Sequence, residues 1–103
     1  MSPMPRTKTE IRTLMEGLEE RGLWTPLRTI ARAYNVTMED VLSRNRSKRI
    51  IQARDACIAH LYDKHQMSSP EIGKLMGMDH TSALVARDRH YDRDNAAVLK
   101  AGK

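Results

Sequence analysis

The stretch GMDHTSAL, residues 77–84, sets Asp79, His80, Thr81 and Ser82 at the head of an apolar run. The chemistry these side chains offer is recognition by hydrogen bond and small apolar contact. A carboxylate accepts, an imidazole donates, and a hydroxyl does both. Asp79 can cap a helix or accept from a cytosine amino group, and His80 can donate to a base acceptor. The Thr81 methyl can pack on a thymine methyl, and Ser82 can bond a phosphate or a base edge. A helix start also presents N–H groups and partial positive charge, which attract phosphate. The plain alternative is a polar helix entrance, with Asp79 as N-cap and its neighbours solvated.

A second set lies upstream. SRNRSKRIIQAR, residues 43–54, holds Arg44, Arg46, Lys48, Arg49 and Arg54 and no acid. The formal net charge is +5, and residues 1–42 balance six basic against six acidic side chains. This short segment therefore carries a charge equal to the whole excess, and charge so focused suits a polyanion. Arginines on a flexible segment can enter a narrow minor groove while a neighbouring helix lies in the major groove. A solvated face is the competing explanation of such a run.

The elements that must position these residues are helices. The 103 residues suffice for one domain of modest core. Apolar residues make up 40% and Phe is absent, so Leu, Ile, Val, Met and Ala build that core, which favours helix over strand. Ile11, Leu14, Met15 and Leu18 predict a helix from residue 8 to Arg21, stopped at Gly22. Thr25 with Pro26 predicts the cap and first position of a second helix, ending at Asn35. Thr37 and Asp40 approximate a capping box for a short third. After a basic loop over 43–49, a fourth covers 50–65, with Ile51, Ile58, Leu61 and Tyr62 on one side. Ser68 or Ser69, with Pro70 and Glu71, opens a fifth that Gly77 ends. Asp79 caps a sixth running to about Tyr91. The expected organisation is an N-terminal extension with one helix over 1–24, a helical domain over 25–93, and a flexible tail over 94–103. The fold class is all-α, with about six helices.

SSPEIGKLMGMDHTSALVARDRH reads as two helices about a tight turn. Ile72, Leu75 and Met76 face a core from the first; Ala83, Leu84 and Ala86 do so from the second. Gly73 costs about 1 kcal/mol in a helix relative to Ala, which implies a close approach by a neighbour. This is the layout of a helix-turn-helix, whose second helix enters the major groove with its N-terminal residues on base edges.

From about Leu27 to His90 the chain resembles the C-terminal DNA-binding domain of the bacterial replication initiator DnaA. The blocks YNVTMEDVLSRNRSKRIIQARD, SSPEIGKLMG and DHTSALVA carry the likeness. The resemblance implies a compact Trp-repressor-like helical domain and specific binding to a short duplex element of the DnaA-box type. It also implies that Arg46 is a minor-groove arginine, and that Arg54, Asp79, His80 and Thr81 read the major groove. Ser82, Lys48, Ser69 and Pro70 fall where the family touches the DNA backbone; Arg49 completes the basic set. The chain departs from the family pattern at Asp55, where Gln is usual, and at Ser82 and Ala83, where Thr and Val are. The turn before Asp79 is one residue shorter than in many initiators. These changes point to an altered preferred sequence.

Other readings are weaker. Cys57 and His60 stand one turn apart, but no second close pair follows with zinc-finger spacing; Cys57 reads as a small packing residue. His90 with Asp88 lacks a nucleophile or cofactor motif. No GxxxxGK[ST] loop occurs, so neither nucleotide nor other cofactor is expected. No apolar run approaches the roughly 18 residues of a membrane span, and MSPMPRTKTE lacks a secretory apolar core. The expectation is a cytoplasmic, nucleoid-associated, non-enzymatic binder of double-stranded DNA, a transcription regulator or a modulator of replication initiation. The alternative is a protein–protein adaptor, docking or self-associating through the first helix with Leu14, Met15, Leu18, Leu23 and Trp24.

Overall fold

The computed structural model describes the backbone of residues 5–101 and the side chains of residues 5–95. Six helices follow one another: α1 (Lys8–Glu20), α2 (Trp24–Ala33), α3 (Met38–Leu42), α4 (Lys48–His65), α5 (Ser69–Met76) and α6 (His80–Ala101). No strand occurs among the described residues. The fold is all-α, as the Phe-free composition predicts.

Reciprocal capping boxes open three of the helices. In α1, Glu10 N donates to Thr7 Oγ1 over 3.1 Å, and Thr7 N to Glu10 Oε1 over 3.2 Å. The same reciprocal box joins Thr37 with Asp40 at α3 and Ser68 with Glu71 at α5. α2 differs from expectation. It starts at Trp24 with Leu23 as its N-cap, and no side chain caps it. Leu23 is buried in the core, so packing sets this helix start and leaves Thr25 and Pro26 inside its first turn. Asn35 ends α2 as expected, with φ at 59°.

α4 is the axis of the molecule. It touches α2, α3, α5 and α6, so its burial runs nearly all the way round: Ile50, Ala53, Ala56, Ile58 and Leu61 are buried. Ile50 is buried, whereas Ile51, which the sequence suggested for the apolar side, is half-buried beside the cleft. Leu18, Leu27, Leu42, Ile58, Leu61 and Ile72 are fully buried, each stabilising the fold by about 1.5–3 kcal/mol. Cys57 joins them, with Sγ 3.7 Å from the Leu27 carbonyl oxygen. Burial pushes its thiol pKa up to about 12, so it stays a neutral packing group at neutral pH.

α1 lays its apolar face on α2, α3 and α5. Leu18 is fully buried, and Ile11, Leu14 and Met15 pack against the same core. At the other end, α6 continues through Asp94 to Ala101, well beyond Tyr91. No Gly or Pro occurs between Gly77 and Gly102, so nothing in the backbone stops it. Helix therefore covers most of the stretch read as a tail. No helix of the described residues is long and apolar enough to cross a membrane.

Candidate nucleic-acid interface

α5 and α6 form the helix-turn-helix, and two glycines shape its turn. A Cβ on Gly73 would lie 2.6 Å from the Met78 carbonyl oxygen. The neighbour that needs this space is the backbone of the turn itself, which crosses directly over α5. Gly77 ends α5 in the left-handed region at φ 71°, where side chains with a Cβ are disfavoured. The chain then enters α6 through Asp79, whose Oδ1 accepts from Ser82 N over 2.8 Å. That bond, ahead of all other influences, holds the Asp79 carboxyl below the usual carboxylate range. Asp79 is thus the N-cap of α6.

Asp79, His80, Thr81 and Ser82 are all exposed. Ala83 and Ala86 face the core, but Leu84 is 38% exposed and Val85 47%. Leu84 was expected in the core. It sits a third of a turn from the Ala83–Ala86 side, which leaves it in solvent. α6 therefore offers a polar tip followed by two exposed branched apolar side chains.

The basic loop, residues 43–47, is shorter than expected, since Lys48 and Arg49 lie in the first turn of α4. No acid balances them there, so two cations stand at the positive end of a helix. The loop is also not slack. Ser43 Oγ donates to Asp40 O over 2.6 Å, Asn45 N donates to Ser43 Oγ over 3.2 Å, and Ser47 N donates to Asn45 Oδ1 over 2.8 Å. Such side-chain-to-backbone bonds shape turns. The alternate residues Arg44 and Arg46 are exposed.

Arg54 completes the loop's support. Its Nε donates to Val41 O over 2.8 Å, and its Nη2 to Ser43 O over 2.8 Å and Asn45 O over 3.0 Å. A weaker contact reaches Asp40 O at 3.4 Å. The resemblance implies a base reader at this position; in the free protein the fork of the guanidinium closes the C-terminal end of α3 and holds the loop that carries Arg46.

Asp55, beside it, is fully buried. Arg89 grips it with two bonds, Nε to Oδ2 at 3.2 Å and Nη2 to Oδ1 at 3.1 Å, and Arg93 Nη2 adds one to Oδ2 at 2.9 Å. The departure from the family pattern at Asp55 is thus a clasp between α4 and α6. It seats the second helix of the motif.

Loop and helix meet at an open cleft. Arg44, Arg46 and Arg54 line one side, Asp79, Thr81, Ser82 and Val85 the other, with Arg89 beyond them. Of the residues singled out from sequence, Arg46, Arg54, Asp79, Thr81 and Ser82 come together here. His80, Lys48 and Arg49 are exposed outside the cleft wall. Ser69 and Pro70 open α5 away from it, and the Ser69 hydroxyl is bonded to Tyr62 Oη at 2.6 Å. The cleft also contains residues that sequence reasoning did not single out. Val85 could have been found from its position one turn after Thr81, and Arg44 from the basic run. Arg6, which also lines it, sends no signal, because 71 positions separate it from the turn it touches.

The bacterial dnaA protein helix-turn-helix family matches residues 27–89. The chain belongs to this family. The chromosomal replication initiator protein DnaA of Mycoplasma genitalium is 36% identical over 63 residues, covering 61% of this chain and 14% of that protein. The protein of the same name from Gloeobacter violaceus is 32% identical over 93 residues, covering 86% of this chain and 21% of the relative. The chain thus spans a small part of the length of the initiators it matches. No solved structure gives a significant match. The family region runs from α2 into α6, so it contains the loop, the turn and the Asp55–Arg89 part of the clasp, and leaves Arg93 and α1 outside.

Proposed function

We propose that this protein binds double-stranded DNA in a sequence-specific manner, with α6 in the major groove and the 43–47 loop in the adjacent minor groove. The observation that carries this reading is the shared cleft: Arg44 and Arg46 face the Thr81–Ser82–Val85 side of α6 across an open groove. Arg46 is the minor-groove arginine. His80 and Thr81 read base edges, and the exposed Leu84 and Val85 suit thymine methyls. Lys48 and Arg49, at the head of α4, suit backbone phosphates, as does Ser82; Ser69 and Pro70, at the head of α5, are the further backbone contacts that the family resemblance implies. Arg54 and Asp79 serve by holding the loop and the helix tip. No catalytic step and no cofactor enter this account. The protein acts by occupying sites in the cytoplasm, as a modulator of replication initiation or a regulator of transcription. An adaptor role through α1 is less well supported, because Leu18 and its neighbours are already against the protein's own core.

The decisive experiment is selection of bound sequences from a random duplex pool. An enriched motif resembling a DnaA box points to origins, and an unrelated motif to promoters. His80→Ala and Thr81→Ala should each relax the preference by about 1–3 kcal/mol at one position. Absence of any retained duplex at low salt, where even nonspecific binding appears, sinks the reading.

A further inference from the structure

Arg6 lies in the segment before α1, outside the family region. Its Nη2 donates to the carbonyl of Gly77, at the turn of the helix-turn-helix. That is its only hydrogen bond among the described residues, although a guanidinium carries five N–H donors. Its Nε is buried without a partner. The same side chain fills the space where a Cβ on Gly77 would stand, with Nη1 2.7 Å away. Arg44 and Arg54 share the cleft wall with it. Burial first, and then the charge of Arg44, lower the Arg6 pKa from its ordinary value, against the pull of Glu10. The Glu10 carboxylate is itself engaged in capping Thr7.

A part-buried cation with donors unused among the described residues, crowded by its own kind, is an incomplete site. What completes it is an anion that planar N–H donors can grip, and phosphate has that geometry. The position matches, because the cleft separates the loop from the tip of α6. A duplex engaged by both would carry its backbone across this gap. We propose that Arg6 is a phosphate contact to the duplex, which makes the segment before α1 an arm of the DNA interface. The inference rests on the DNA-binding reading above. It adds a contact from a part of the chain that the family match leaves out, and it gives α1 a task besides covering the core: anchoring the arm.

The test is the salt dependence of binding by the full chain to a duplex recovered in the selection. Arg6→Gln keeps an amide donor for the Gly77 carbonyl and removes the charge; Arg6→Lys keeps the charge. The log–log salt slope should become shallower by about one for Arg6→Gln and stay at the parent value for Arg6→Lys. Between about 50 and 200 mM salt, the parent should then lose roughly threefold more affinity than Arg6→Gln. Thermal melting of each free protein separates the arm from a purely structural clip. A clip lowers melting and affinity together and leaves the slope alone. An Arg6→Gln chain that binds with the parent's slope overturns the arm while the DNA-binding reading stands. A parent that retains no duplex at any salt fails both.

Discussion

The tip of α6 and the loop before α4 face each other across one cleft, yet they are held in different ways. The tip is built from its own neighbourhood. Asp79 caps Ser82 three residues on, Gly77 supplies the positive φ, and Gly73 on the preceding helix makes room for the turn. The loop has local bonds too, through Ser43 and Asn45, but Arg54 reaches back from α4 to gather its carbonyls. The placement of α6 on the body is likewise decided at a distance, by Asp55 with Arg89 and Arg93. Shape at the α6 tip is local; spacing between tip and loop is tertiary. The distance between tip and loop can therefore change without a change in the local shape of either.

The strongest way to break that contrast is to strand Asp55. The double change Arg89→Ala with Arg93→Ala leaves a fully buried carboxylate without its cations. It should cost about 3 kcal/mol, at the low end for a stranded buried charge because water can enter where the arginines stood. Urea unfolding measures the loss. A variant as stable as the parent would show that the clasp does not seat α6.

Arg54→Ala should cost about 2 kcal/mol, since several loop and α3 carbonyls lose their donor together. Arg54→Lys should recover little, because a point charge cannot fork across Val41, Ser43 and Asn45. Amide chemical shifts should move over 43–47 and stay put over 79–82. Shifts confined to α6 would reverse the assignment of supports.

Gly73→Ala probes the other side. Overpacking of about 1–3 kcal/mol is set against a helix-propensity gain of about 1 kcal/mol, so the net is a destabilisation of up to about 2 kcal/mol. The tip must yield to a Cβ 2.6 Å from the Met78 carbonyl oxygen, a backbone atom. Amide shifts over 77–82 and lost sequence preference are the expected readouts, with the loop unmoved.

The smallest effect belongs to Asp79→Ala, and it depends on pH. The folded-state pKa of Asp79 is lowered by its bond from Ser82 N. Its contribution is therefore present above the ordinary carboxylate value and is lost as pH falls through the lowered one. Glu10 and Glu71, lowered mainly by their hydrogen bonds with Thr7 and Ser68, act in the same window. Parent and Asp79→Ala should differ in stability at neutral pH and converge in strong acid. A constant difference down to the acid limit would remove the cap from the account.

Much of this molecule is legible in its residues because many of its decisions are short-range. The boxes at Thr37 and Ser68, the stops at Asn35 and Gly77, the cap at Asp79 and the all-helical class follow from side chains within four positions of the groups they satisfy. The amino-acid sequence by itself also determined where the excess charge sits and which polar residues head α6. Errors cluster where distant parts decide. Leu23 starts α2 because the core takes it, Ile50 is buried while Ile51 is half-buried beside the cleft, and Leu84 is exposed because Ala83 and Ala86 take the inner side. The roles of Arg54 and Asp55 could not be read from their own positions, since their partners lie on α3, the loop and α6. Arg6 meets Gly77 only after α1 has folded onto α5. Hydrogen bonds along a helix close rings of a few residues, so sequence spells them out. A guanidinium's partners depend on which carbonyls and carboxylates the packed helices bring within about 3 Å, and only the tertiary structure makes that choice.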